Sequence, residues 1–473
     1  MIFLIILYLI LFVVLSWRRI DWAVFLILAT LPSYLIRFNI LSIPFTLLEA
    51  MILISFSVWF LKSYKEVFGN IKSRLKNYKL QTTNYKPTRY PFDWEIVLVL
   101  VVSFIAVGVA GFSDSAFGIW KAYFFEPLLF YILVINVFGK KIDRVVWPLA
   151  VSALGVSLVA IYQYITGDLI FNEFWANEAN RRAVSVFGYP NAVGLYLAPI
   201  VMLIVGLFFE KFKKIDFSLK IFRTTYYWQL LFLAVTTALS IRATMFADSE
   251  GALVGLAAGL FVFGILANKK LRWVTIIFTI LISAGLFFYQ PVRTKVIDKV
   301  TLMDLSGQIR KAQWNETWEM LKDGRIFIGS GLANYKQTVE PYHAEGIFVC
   351  DPHDPDWHRK TVWNEEFRNS VWQPLEIYMY PHNIFLNFWV ELGLAGMILF
   401  IWIIGKFLYL GLKNINKKSK NRYFTLGLVC AMMVIVVHGL VDVPYLKNDL
   451  AVLFWLIVAM MGVVNLKVRS EKQ

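Results

Sequence analysis

The sequence predicts an all-α, polytopic membrane protein of 12–13 transmembrane helices carrying one large, partly helical extracytoplasmic loop. Three observations carry that prediction. The 473 residues are 58% hydrophobic and 17% aromatic, with a mean hydropathy of +0.61, which is more apolar surface than one or two soluble cores use. Apolar runs of roughly 17–25 residues, the length that crosses a hydrocarbon core, recur from end to end. The formal charge of +15 is concentrated in the segments between alternate runs.

The runs fall at about 2–16, 21–37, 42–61, 94–112, 119–138, 145–166, 188–209, 228–247, 250–267, 272–289, 382–410, 423–441 and 449–466. The first has neither basic residues before it nor a small-residue cleavage site after it, so it reads as an uncleaved helix and not a signal peptide. The whole chain, 1–473, then forms a single membrane domain with two sizeable interruptions, 62–93 and 290–381.

Charge orients this array. The segments 18–19, 62–89, 140–144, 211–223, 269–272, 406–422 and 467–472 hold 30 of the 47 basic residues. They fall on one side of the spans, which the positive-inside rule makes cytoplasmic. The basic balance is therefore topological, and nucleic acid is excluded as the partner it implies. The 62–93 stretch is expected to be a basic cytoplasmic loop attracted to anionic headgroups. The 290–381 segment, with 11 basic and 13 acidic residues, falls outside as an extracytoplasmic loop. Unstructured loops of that length are uncommon. Within it 309–323 has helical spacing, with Ile309, Gln313 or Trp314, Thr317, Met320 and Leu321 on one side, and FIGSGLANY (327–335) supplies turn glycines. Cys350 and Cys430 are expected at different depths, which implies no disulfide framework.

Polar groups within and beside the runs are where chemistry is sought. Glu49, Glu126 and Arg37 read first as charges paired inside the bundle, and Lys121 and Glu126, five apart, make a poor pair on one helix face. Five other groups gather at the outer ends of the spans: Arg181, Arg182, Arg242, Arg310 and His382. Arginine forks suit a diphosphate, so the group reads either as a site for an anionic, membrane-resident substrate or as side chains reaching headgroup phosphates. His382, at a helix start, is expected neutral and able to take a proton from a hydroxyl. Asn383, Asn387 and Glu391, spaced by four, form one stripe, read as scaffolding in which Asn387 and Glu391 bond each other or a neighbouring helix. CDPHDPDWH (350–358) offers metal-ligand types, yet its prolines and spacing match no standard site, so an exposed acidic loop is expected. His343 and His438 read as structural.

Four stretches in order resemble the O-antigen ligase and O-antigen polymerase superfamily. PHNIFLNFWVELGLAG (381–396) is similar to its His-Asn…Leu…Glu-x-Gly-x-x-Gly signature. RAVSVFGYPNAVGLYLAP (182–199), SEGALVGLAAGL (249–260) and IRKAQWNETWEMLKDGRIFIGSGLANY (309–335) resemble its other segments.

The resemblance implies a GT-C-like glycosyltransferase of the cytoplasmic (inner) membrane, active on the extracytoplasmic side. It implies transfer of a glycan from undecaprenyl diphosphate to an acceptor hydroxyl on lipid, protein or glycan, with membrane lipids as its other partners. An inverting, metal-independent reaction without a cofactor is expected. Carried over by position, His382 is the base, and Arg310 and Arg182 hold the diphosphate, with Asn383 and Glu391 in support. The family's Ser-Arg-Gly arginine is Glu250 here, and Arg242 is expected to stand in for it. A polysaccharide polymerase differs from this reading only in its acceptor. A lipid-linked glycan transporter would instead show paired broken helices and charges at the bilayer midplane.

Overall fold

A computed structural model describes residues 2–40, 43–77, 91–213, 225–415 and 421–470. Fifteen helices frame the described part of the chain: α1 (Ile2–Arg18), α2 (Ile20–Ala29), α3 (Leu47–Asn77), α4 (Asp93–Val109), α5 (Asp114–Phe138), α6 (Val146–Thr166), α7 (Pro190–Phe212), α8 (Thr225–Phe246), α9 (Glu250–Ala267), α10 (Lys269–Phe288), α11 (Gln290–Val300), α12 (Leu305–Met320), α13 (Ile384–Asn414), α14 (Arg422–His438) and α15 (Asn448–Ser470). The only paired strands among the described residues are a short antiparallel hairpin, Arg37–Ile40 with Ile43–Thr46, and an antiparallel pair, Gly346–Phe348 with Trp372–Pro374. This is an all-α polytopic membrane protein. Among the described residues eight helices, α5–α10, α13 and α15, are long and apolar enough to cross a bilayer, and α1, α2 and α14 are shorter apolar helices.

The predicted runs and the helices differ where local chemistry intervenes. The run at 21–37 is helical only to Ala29, because Pro32 cannot supply the next backbone donor; a 3-10 turn over Leu31–Leu35 follows and leads into the first hairpin. Arg37 consequently lies on an exposed hairpin strand and not inside a span. The third helix begins at Leu47, after the hairpin, and continues to Asn77, so half of the predicted basic loop is helical. Residues 78–90 of that loop lie outside the described residues.

The inner core is built on α7, α14 and the first five turns of α15, whose side chains are buried almost all round. A helix apolar on every face is buried by its neighbours, whereas a one-sided helix lines the rim. At the other extreme no residue of α10 is buried, leaving its apolar surface to lipid. Polar contacts mark the two ends of the bundle. At one end Glu95 accepts from Trp402 (2.9 Å) and Lys406 (2.7 Å), Glu210 accepts the Tyr423 N–H (3.0 Å), and Arg422 donates to the Leu266 carbonyl (2.6 Å). At the other, the loop end, Glu49 links three elements, accepting from Lys121 of α5 (3.3 Å) and Asn448 of α15 (2.9 Å). Lys121 thus pairs across helices with Glu49, which resolves its poor geometry toward Glu126.

The 290–381 loop folds onto this end. α12 buries Gln313, Thr317 and Met320 of the side its helical spacing marked, and Glu316 beside them. After it, residues 326–333 run as irregular backbone alongside α13, which is broken at Gly393 (φ 73°). The carbonyl and N–H freed by the break find partners in the loop, Ser330 N–H donating to Val390 O (2.7 Å) and Leu394 N–H to Phe327 O (3.2 Å), and the Trp389 side chain adds a bond from Nε1 to Ile326 O (2.7 Å). Irregular backbone survives at this depth only where protein satisfies it. A Cβ on Gly393 would lie 2.3 Å from Phe327 O, and one on Gly329 (φ 67°) 2.4 Å from Val390 O. Both positions therefore require glycine for conformation and for space.

Candidate active site at the loop end

His382 immediately precedes α13, and the chain turns sharply to place it. Its φ is +39°, a conformation that costs about 1 kcal/mol or more for a side-chain-bearing residue. Two side chains of α12 hold the turn: Gln313 Nε2 donates to Tyr380 O (2.9 Å) and Trp314 Nε1 to Pro381 O (2.7 Å). Asn383 then caps α13, accepting from the Phe385 and Leu386 N–H groups (3.0 Å each), and donates to Leu440 O (3.0 Å). Ile384 N–H bonds Gly439 O (2.7 Å). An asparagine N-cap satisfies the orphan donors of a helix start; here it also ties that start to the 439–447 segment.

The tautomer of His382 follows from this geometry. Because Gln313 gives its amide nitrogen to Tyr380 O, its Oε1 faces His382 Nδ1 at 3.0 Å. An amide oxygen only accepts, so Nδ1 carries the proton and the lone pair is on Nε2. Tyr378 and Tyr380 flank the ring, with centroids 4.9 and 5.0 Å away. Burial holds the imidazole below its ordinary pKa of 6.5; the Asp442 charge offsets this and the Arg310 charge adds to it. The His382 imidazole is thus neutral at neutral pH, and the Asp442 carboxylate is the charge that favours its protonated form.

Asp442 is the electrostatic centre of the cluster. It is buried, accepts from Val443 N–H (2.8 Å) and Asn191 (3.4 Å), and lies 3.9 Å from His438. Its segment is fixed on the far side by Tyr445, whose hydroxyl donates to Tyr123 O (2.8 Å). Pro127, four residues on in α5, has no N–H for that carbonyl, and the helix passes through a π turn at Lys121–Phe125, so Tyr445 supplies the missing donor.

The arginines divide. Arg182 reaches the cluster through Asn191, whose Oδ1 accepts from Nη2 at 3.2 Å, and also donates to Ala247 O (3.0 Å) and Asp248 O (2.8 Å). Arg310 bonds Ser306 (2.9 Å) on its own helix, and its charge acts on His382 and Tyr378. Arg242 is exposed and stacked over Phe246 of its own helix (4.3 Å); among the described residues it makes no hydrogen bond or ion pair. Arg181 bonds the Ala176 and Tyr164 carbonyls (3.3 Å each). Glu250, in the position of the expected arginine, forms an ion pair with Lys299 of α11.

The polar stripe of α13 serves the loop. Glu391 Oε2 accepts the Ala333 N–H at 2.9 Å, fastening the irregular 326–333 backbone. Asn387 is fully buried with neither amide atom partnered among the described residues, so it bonds neither Glu391 nor a neighbouring helix, contrary to expectation. In the 350–358 segment His353 pairs with Asp298 (3.0 Å) and Asp354 with Lys360 (2.8 Å). No group of three or more His, Cys, Asp or Glu is arranged to hold a metal among the described residues. Cys350 and Cys430 are both free thiols. Asp442, Gln313, Tyr380 and Tyr189 are the members of the cluster that sequence reasoning did not single out for chemistry. The signal available for Asp442 was an acid directly after an apolar span in GLVDVPY.

Residues 235–401 match the family described as O-antigen ligase. The match runs from within α8 to within α13 and so takes in Arg242, Glu250, the whole 290–381 loop and His382. No curated protein matches the chain.

Proposed function

From the premise that this chain belongs, through residues 235–401, to the O-antigen ligase superfamily, we propose that it is a membrane glycosyltransferase. In this reading it moves a glycan from undecaprenyl diphosphate to an acceptor hydroxyl at the loop end of the bundle. The observation that carries it is the Gln313–His382 contact, which leaves an unprotonated Nε2 on a neutral imidazole beside Asp442.

His382 Nε2 takes the proton of the acceptor hydroxyl as its oxygen attacks the anomeric carbon, on the face opposite the diphosphate. The bond from that carbon to the diphosphate oxygen breaks, and its electron pair leaves with undecaprenyl diphosphate. Configuration therefore inverts. Negative charge grows on the leaving group in the transition state, so a fixed cation there lowers the barrier. Arg310, whose charge acts on His382, and Arg182, linked through Asn191 to Asp442, are the arginines tied to the cluster; Arg242 stacks on Phe246 instead. Asn383 and Glu391 act indirectly, the first by capping the helix that follows His382 and the second by anchoring the loop. The loop end faces away from the basic segments, the extracytoplasmic side under the positive-inside rule.

The test supplies the purified chain with a labelled undecaprenyl diphosphate glycan and candidate acceptors. Free undecaprenyl diphosphate together with a labelled, inverted product is expected. Donor that crosses a liposome unchanged, with no product from any acceptor, contradicts the reading in favour of transport.

A further inference from the structure

We infer that Lys447 is the cation that receives the donor's leaving diphosphate, a binding residue for the reaction proposed above and dependent on that reading for its substrate. Lys447 ends the 439–447 segment, and its carbonyl accepts the Ala451 N–H (2.8 Å), so it stands at the head of α15. The positive end of a helix dipole is an unfavourable place for a cation. The side chain is half-buried, yet its Nζ has no hydrogen bond and no carboxylate within 4 Å among the described residues; it sits 3.7 Å over the ring of Tyr189. Tyr189 in turn directly precedes α7, so the N-termini of two long helices adjoin the ammonium. This concentrates positive potential, and what satisfies it is a compact polyanion.

Its position fits the leaving group. Tyr189 and Tyr380 lie close enough to act on each other electrostatically, and the Tyr380 ring lies 5.0 Å from His382, so base and cation flank one aromatic wall. Arg182 reaches the same wall through Asn191 and Asp442. Burial pushes the Lys447 ammonium down to about 8, with Asp449 and Asp442 opposing that from a distance. A diphosphate beside it restores the charge, and the electron pair released from the anomeric carbon settles on oxygens that this charge neutralises. The proton lost by the acceptor goes to His382, so the two residues handle separate products of one step.

Binding of tritiated farnesyl diphosphate to the detergent-solubilised full chain, with no acceptor present, tests the assignment apart from catalysis. Lys447→Met is expected to weaken binding about 10- to 100-fold, the worth of a charged hydrogen bond. Lys447→Arg is expected to stay within about threefold of the wild type, since charge is kept. Equal binding by Lys447→Met, or wild-type binding no tighter than that of farnesol, overturns the inference. If Lys447→Met does not accumulate as folded protein, acylation of Lys447 at pH 8 read by mass spectrometry decides instead. Farnesyl diphosphate should protect the amine, while inorganic phosphate and phosphatidylglycerol should not; no protection, or equal protection by all three, contradicts the proposal. A chain that binds farnesyl diphosphate through Lys447 but transfers nothing contradicts the glycosyltransferase reading and leaves Lys447 as a diphosphate-binding residue alone.

Discussion

His382 Nδ1 and Gln313 Oε1 stand 3.0 Å apart across 69 residues of sequence. Gln313 cannot turn its amide around without losing the bond to Tyr380 O, so the proton on His382 is fixed at Nδ1.

Gln313→Glu and Gln313→Leu separate this role from packing. A carboxylate at the same place favours imidazolium and raises the His382 pKa, so transfer at pH 7 should fall and recover as pH rises. Leucine leaves the tautomer unfixed, and kcat should fall about 10-fold or more at every pH. A Gln313→Glu profile superimposed on that of the wild type would contradict the assignment.

The pH profile of kcat/KM should report two groups. In the proposed reaction His382 acts when deprotonated, and burial lowers its pKa, so the acid limb should lie below pH 6.5. Asp442→Asn removes a charge that raises that pKa and should move the limb to lower pH. Arg310→Gln removes one that lowers it and should move the limb to higher pH. On the alkaline side, loss of the Lys447 proton should reduce kcat/KM above a pH of about 8. Shifts of the same sign in Asp442→Asn and Arg310→Gln would exclude His382 as the titrating base.

Replacement of the three predicted arginines should not be equivalent. Arg310→Ala should lower kcat/KM about 10-fold or more, by the loss of a charge near the reacting group. Arg182→Ala should lower both activity and the melting temperature, because its three hydrogen bonds to Ala247, Asp248 and Asn191 disappear. Arg242→Ala, which loses only a stacking contact with Phe246, should keep the donor KM within about twofold, as expected of an exposed cation–π pair. A large donor KM effect from Arg242→Ala alone would return that residue to the site.

Gly393→Ala tests the seat of the loop on α13. The residue would occupy φ 73° with its Cβ 2.3 Å from Phe327 O, at a cost on the order of 1–3 kcal/mol for conformation alone. Thermal melting in detergent should fall, and limited proteolysis within 321–334 should speed up. Unchanged melting and cleavage would mean that the break at Gly393 does not hold the loop.

Much of this architecture is legible in the sequence, because membrane helices are written in length and apolarity. The runs at 188–209 and 250–267 match α7 and α9 within a few residues. The 309–323 spacing likewise marked α12, whose Gln313, Thr317 and Met320 are buried. What escaped depends on groups far apart in the chain. Nothing local to Lys121 indicates Glu49, 72 residues away, and nothing near Glu391 indicates the Ala333 N–H, 58 residues back. Arg242 and Arg182 look alike as sequence, both arginines beside an outer turn; only tertiary packing gives one of them Asn191 and leaves the other over Phe246. His382 stood out in the sequence by type and position, whereas its tautomer needed α12 folded over it.

The most direct test of the central claim is single-turnover release of undecaprenyl diphosphate by His382→Ala against the wild type, with acceptor saturating. Loss of general-base catalysis predicts a rate lower by about 10²–10⁴-fold, with donor binding retained and the protein accumulating normally. Release at a near-wild-type rate by a folded His382→Ala chain would contradict the assignment of His382 as the base.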